Sequence, residues 1–156
     1  MSTSFVPDAK RGKFMIVNGI VITVLTAESI SDIRTKTISL TRLIIYMVVG
    51  IIANIVWGYQ SIASMIGGAV VGVIFLGFAI LSREGIGYGD GGMFICLGIV
   101  LGLYTNLRLL VYSLFFALVV GGIYAVAKKK NLKTRIPFIP CVLVTLVFMT
   151  IMEAVT

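Results

Sequence analysis

The 156 residues are 59% hydrophobic and only 12% charged, with a mean hydropathy of +1.11, whereas a soluble domain is about 45–50% apolar and about 25% charged. That composition excludes a soluble globule and leaves room for about six membrane spans of ~20 residues. The net charge of +7, from 13 Lys and Arg against six acids, is read as membrane orientation and not as nucleic-acid binding; His is absent, and Cys96 and Cys141 both lie in apolar runs. No Cys/His metal site, cofactor site or disulfide framework is indicated, so chemistry has to come from carboxylates, hydroxyls or backbone.

Charges and turn residues divide the chain into apolar runs at 14–30, 41–57, 62–81, 92–105, 107–127 and 136–154. The first follows Lys10, Arg11 and Lys13 as a signal peptide would. It lacks a small-residue cleavage site followed by a soluble domain, and is kept as a span. A tight turn is expected at Gly58-Tyr59-Gln60. The stretch 92–127 carries one charge, Arg108; as one helix it would be about 54 Å long against a ~30 Å hydrocarbon core, so a turn is predicted at Thr105-Asn106. The expected fold is an all-α membrane protein, a bundle of about six transmembrane helices. Residues 1–156 are read as a single integral-membrane domain with no separate soluble domain.

With six spans, the loops after the first, third and fifth share one side and hold Arg34, Lys36, Arg42, Arg83, Lys128, Lys129, Lys130, Lys133 and Arg135. The other side holds Lys10, Arg11, Lys13 and Arg108. The Lys/Arg bias puts the richer side in the cytoplasm and both termini outside. Run 128–135 reads as a lipid-facing anchor, at about 1 kcal/mol per basic residue near anionic lipid. Glycines are dense inside the runs, at 67, 68, 72, 77, 98, 102, 121 and 122, and close helix packing within the chain is their expected use.

The acids carry the functional information. Asp8 is in the polar N-terminal tail and Glu153 reaches the outer interface, but Glu28, Asp32, Glu84 and Asp90 all map to the cytoplasmic ends of spans one, three and four. Between Asp32 and Asp90 the chain crosses twice, so both acids return to one face. Asp90 sits in Gly-Tyr-Gly-Asp-Gly-Gly (87–92), where glycines let backbone approach a substrate closely. A carboxylate at or below the membrane surface is a functional candidate. Two that share a site can hold one proton between them and so supply an acid and a base together, the requirement of aspartic proteolysis, without metal or covalent intermediate.

Gly87-Tyr88-Gly89-Asp90 is a GxGD motif, and with Asp32-Ile33-Arg34-Thr35-Lys36-Thr37-Ile38 it resembles the type IV prepilin peptidases; Ile136-Pro137-Phe138-Ile139-Pro140 is similar to that family's Ile-Pro-Phe-x-Pro lead into the last helix. The resemblance implies an intramembrane aspartyl endopeptidase of the cytoplasmic membrane, cutting the basic leader from type IV prepilins or pseudopilins. It implies Asp32 and Asp90 as the catalytic dyad and Gly87 and Gly89 as shapers of the loop around Asp90. Arg34 and Lys36 match family basic positions. Glu28, four residues before Asp32 and on the same helical face, and Glu84 are candidate leader contacts or charge-tuning groups. The chain departs from the family in having Ser39-Leu40 where Pro-Asn is frequent, and Gly91-Gly92 where Val-Lys is frequent. It is most similar to the minimal, peptidase-only forms that process Tad-type prepilins or preflagellins, without a methyltransferase domain. The competing class is a small ion- or proton-coupled transporter using the same acids. Membrane lipids and a prepilin are the expected partners; the oligomeric state is not legible.

Overall fold

The computed structural model describes residues 8–35, 39–81, 87–128 and 138–155. They form five helices: α1 (Asp8–Thr35), α2 (Leu40–Trp57), α3 (Ile62–Leu81), α4 (Tyr88–Lys128) and α5 (Ile139–Val155), with no strand among the described residues. Segments of α1 to α4 are long and apolar enough to cross a membrane, whereas α5, at 17 residues, is shorter. Many large apolar side chains face outward, among them Leu40, Ile55, Ile62, Leu81, Leu118 and Val126. Such a surface is stable against hydrocarbon and not against water, and the chain is a multi-pass membrane protein.

Neighbouring helices run antiparallel. At one end of α1, Lys13 Nζ donates to Trp57 O (3.1 Å) in the last turn of α2; at the other, Arg42 in the first turn of α2 meets Glu28 (3.1 Å). Helices α3 and α4 pack backbone to backbone. A Cβ on Gly68 would strike the carbonyl of Gly98, one on Gly98 the carbonyl of Gly68, and one on Gly72 the backbone of Ile95. The expected use of these glycines is therefore met inside the chain, although Gly77 and Gly122 face open space. Cys96 Sγ donates to Leu43 O (3.3 Å), joining α2 to α4. Phe138, just before α5, lies against Phe75 and Phe94 (ring centroids 5.9 and 6.0 Å). Far along α5, Thr150 accepts from Asn18 Nδ2 (3.2 Å).

Helix α4 is one element in name only. Twelve residues of straight helix separate Phe94 from Asn106 by about 18 Å, yet Asn106 Nδ2 donates to Phe94 O at 3.2 Å and to Gly68 O at 3.0 Å. The chain doubles back at Gly102, whose φ of 79° and ψ of 176° leave the helix. A side chain there would be strained in φ and would strike Gln60 and Ser64. The predicted turn at Thr105-Asn106 is thus corrected by three residues, and runs four and five become two limbs, 88–101 and 103–128, of one element.

Breaking a helix strands backbone groups, which hydrocarbon cannot satisfy. Here side chains take them up. Asn54 Nδ2 donates to Ile99 O (2.8 Å), and Gln60 Nε2 donates to Leu101 O (3.0 Å). Leu103 N donates to Ser64 Oγ (3.2 Å), whose own hydroxyl donates to Gln60 Oε1 (3.0 Å). The turn between α2 and α3 therefore caps the break in α4.

Candidate active site

The antiparallel packing gathers the last turns of α1 and α3, and the first turns of α2, α4 and α5, at one end of the bundle; the α2–α3 turn and Gly102 lie at the other. Asp32 lies in the last turn of α1 and is 8% exposed; Glu28, one turn earlier, is 0% exposed. Asp90 is the third residue of α4 and is 9% exposed. All three are buried acids in a molecule with six, and all belong to the same end.

The local sequence explains the seat of Asp90. Its amide donates to Gly87 O (3.1 Å), opening the helix, and its carboxylate turns back over Gly87, where a Cβ would lie 3.2 Å from Oδ2. An acid in a first helical turn is favoured by the unpaired N–H groups and the dipole of that terminus. The next two glycines set the depth. A Cβ on Gly91 would lie 2.7 Å from Leu76 Cα, and one on Gly92 would lie 2.8 Å from Leu43 Cδ1. The start of α4 is wedged against α3, so Val could not stand at 91 unless the two helices moved apart, whereas a side chain at 92 would have to turn Leu43 aside. Gly89 is half-buried in the same turn.

On α1, Glu28 Oε1 accepts from the Tyr46 hydroxyl (2.9 Å) and pairs with Arg42 (3.1 Å), while Oε2 has no hydrogen-bond partner among the described residues. Arg42 also donates to Ser31 Oγ (3.0 Å), so one guanidinium holds two positions in the turn that leads into Asp32. Neither Arg42, read from the sequence only as an orientation charge, nor Tyr46 stood out as a site residue. Arg34, in the last turn of α1, is exposed. Lys36 and Glu84 lie outside the described residues, as do Arg83 and 129–137.

Below the acids, α1 and α2 diverge to leave a cavity of about 90 Å³, lined by Val21, Val24, Tyr46, Trp57, Met93 and Leu97 among others. Its walls are apolar and its upper rim is Tyr46, the residue bonded to Glu28. No three His, Cys, Asp or Glu side chains among the described residues converge as a metal site would need. The chemistry on offer is that of carboxylates at the end of an apolar bundle.

Comparison with known proteins points the same way. No curated protein and no solved structure matches the chain. The profile described as the type IV leader peptidase family matches residues 19–126, which span α1 from its middle, α2, α3 and nearly all of α4 and include Glu28, Asp32 and Asp90. With more than two thirds of its length matched, the chain belongs to the type IV leader peptidase family, and its family-level activity is that of a protease.

Proposed function

We propose that the protein is an intramembrane aspartyl endopeptidase that removes the basic leader from type IV prepilins or pseudopilins at the cytoplasmic face of the membrane, with Asp32 and Asp90 as its dyad. One observation carries the reading: within a family of leader peptidases, Asp32 and Asp90, both inside the matched region, lie buried at one end of the bundle, on α1 and α4. In the proposed reaction the ionised carboxylate takes a proton from water as the water oxygen attacks the scissile carbonyl carbon, and the protonated partner gives its proton to the carbonyl oxygen. Collapse of the tetrahedral intermediate sends a proton to the departing nitrogen, and the C–N bond breaks.

The doubling-back at Gly102 supports six crossings with both termini opposite the acids, and the Lys/Arg count favours the acid end as cytoplasmic. A prepilin has an apolar helix that partitions into the bilayer and brings its leader junction to that depth. Purified protein in sealed liposomes should cut such a peptide once, at the junction, equally well with ion gradients collapsed and metal chelated. Proton or cation movement without cleavage, lost in Asp90→Asn, would overturn the proposal in favour of a transporter.

A further inference from the structure

We infer that Arg42 and Glu28 form a latch that positions Asp32 for proteolysis, and that Glu28 acts inside the enzyme instead of gripping the basic leader. The inference rests on the endopeptidase reading above. A carboxylate in apolar surroundings is retained only when its charge is compensated. Glu28 has that compensation: Arg42 at 3.1 Å and the Tyr46 hydroxyl at 2.9 Å, both on α2, share its Oε1. A leader cation would approach a charge already neutralised by the guanidinium, with only the buried Oε2 left unbonded among the described residues.

The geometry of the latch is directed at one turn of one helix. Arg42 reaches Glu28 with one guanidinium nitrogen and Ser31 Oγ, 3.0 Å away, with the other. Residues 28 and 31 are one turn apart on the face of α1 that meets α2, and Asp32 follows directly. Arg42 reaches this stretch from α2 at the point where the two helices diverge around the apolar cavity below Tyr46. Without Arg42 the last turn of α1 loses its ties to α2 at Glu28 and Ser31, and a shift of that turn carries Asp32 with it. A carboxylate displaced by about 1 Å from the scissile bond can cost about 10²-fold in rate. Arg42, the side chain of which is 39% exposed, forms the lid of this arrangement, and Glu28 its buried anchor.

The two roles for Glu28 separate kinetically. Cleavage is measured for two peptides that share an apolar helix, one with a Lys/Arg leader and one with those residues replaced by Gln, using wild type, Glu28→Gln, Arg42→Met, the double variant, Tyr46→Phe and Arg42→Lys. A latch predicts that Glu28→Gln and Arg42→Met each lower kcat by about 10- to 100-fold with KM within about twofold, by the same factor on both peptides. The double variant should lose no more than the worse single one, Tyr46→Phe should lose less, and Arg42→Lys should recover part of the rate. Independently of activity, amide exchange at 29–34 should accelerate in Arg42→Met while exchange in α3 stays unchanged, which separates a loosened turn from a misfolded protein. A loss confined to the basic leader and expressed in KM, or additive losses in the double variant, or unaltered exchange at 29–34, overturns the latch. Wild type that cuts neither peptide overturns the endopeptidase reading itself, and the exchange result then decides alone whether Arg42 holds the turn.

Discussion

The two ends of the bundle both bury polar side chains, but of different kinds. At the end with Gly102, buried or half-buried neutral amides and hydroxyls, Asn54, Gln60 and Ser64, each bond backbone groups at or near the broken helix. The other end also buries three acids, and one of them, Glu28, is bonded by side chains of α2 instead of backbone. Neutral amides repair a helix at low cost because no charge leaves water. Ionisable groups in the same apolar surroundings demand compensation, and their retention makes that end the candidate site.

Replacing a group at each end tests that contrast. At the acid end, Asp32→Asn and Asp90→Asn should each reduce leader cleavage by about 10³-fold or more, because an amide can neither accept the proton from water nor donate one as a carboxyl does. Membrane expression and thermal unfolding should stay near wild type. Appreciable turnover by either variant removes that residue from the dyad.

The middle of the bundle should respond in stability. Gly68→Val places a side chain against the Gly98 carbonyl and forces α3 from α4, an overpacking that typically costs about 1–3 kcal/mol and here meets backbone that cannot rotate away. Gly102→Ala adds strain in φ and a clash with Gln60 and Ser64, for about 1–3 kcal/mol. Detergent-resistant thermal unfolding reads both. Gly77→Ala and Gly122→Ala, with nothing within 4 Å of the added carbon, are the matched controls and should shift it little.

Much of this arrangement could be read from the chain, and the exceptions have physical reasons. The apolar runs and the return of Asp32 and Asp90 to one end follow from hydropathy and parity of crossings. The position of the reversal did not, because Thr105-Asn106 has turn chemistry while Gly102 sits in an apolar Leu-Gly-Leu context; only the φ of 79° and the waiting donors at Gln60 and Asn54 distinguish it. Asn106 instead continues the second limb and turns its amide to two carbonyls. Gly91, part of the departure from Val-Lys in the sequence, becomes a packing requirement set by the Leu76 backbone, whereas Gly92 meets only the end of the Leu43 side chain. Arg42 was hidden for another reason. Its partners are 11 and 14 residues away, across a helical hairpin whose register no periodicity specifies.

A smaller effect is expected at Asn106, fully buried and bonded to Phe94 O and Gly68 O. Asn106→Leu keeps the volume and removes both donors. The carbonyls it serves are both in helices, so the loss should be modest: about 0.6–2 kcal/mol by the range for polar contacts between membrane helices. Cleavage should persist, since Phe94 lies a full turn beyond Asp90 in α4 and the amide contacts neither acid's own turn. Loss of activity with stability intact would mean that the two ends are coupled.

The orientation test should perturb the molecule least. Ser39 precedes α2 at the acid end and makes no capping bond with its side chain, and Ser61 lies in the α2–α3 turn; both are exposed. Ser39→Cys therefore gives up no cap, while Ser61→Cys weakens a 3.2 Å contact from Ser64 N and should cost no more than about 1 kcal/mol. In a background without Cys96 and Cys141, a membrane-impermeant maleimide applied to oriented vesicles should reach position 39 only from the cytoplasmic side and position 61 only from outside. The argument behind this is a count: nine Lys and Arg in the loops assigned to the acid end against four on the other side. The N-terminal cluster of Lys10, Arg11 and Lys13 supplies three of those four and pulls the opposite way. Labelling of position 39 from outside would mean that this cluster dominates, and would put the acids on the wrong face for a cytoplasmic leader; labelling of both positions from one side would break the antiparallel pairing of α1, α2 and α3 on which the shared end for Asp32 and Asp90 depends.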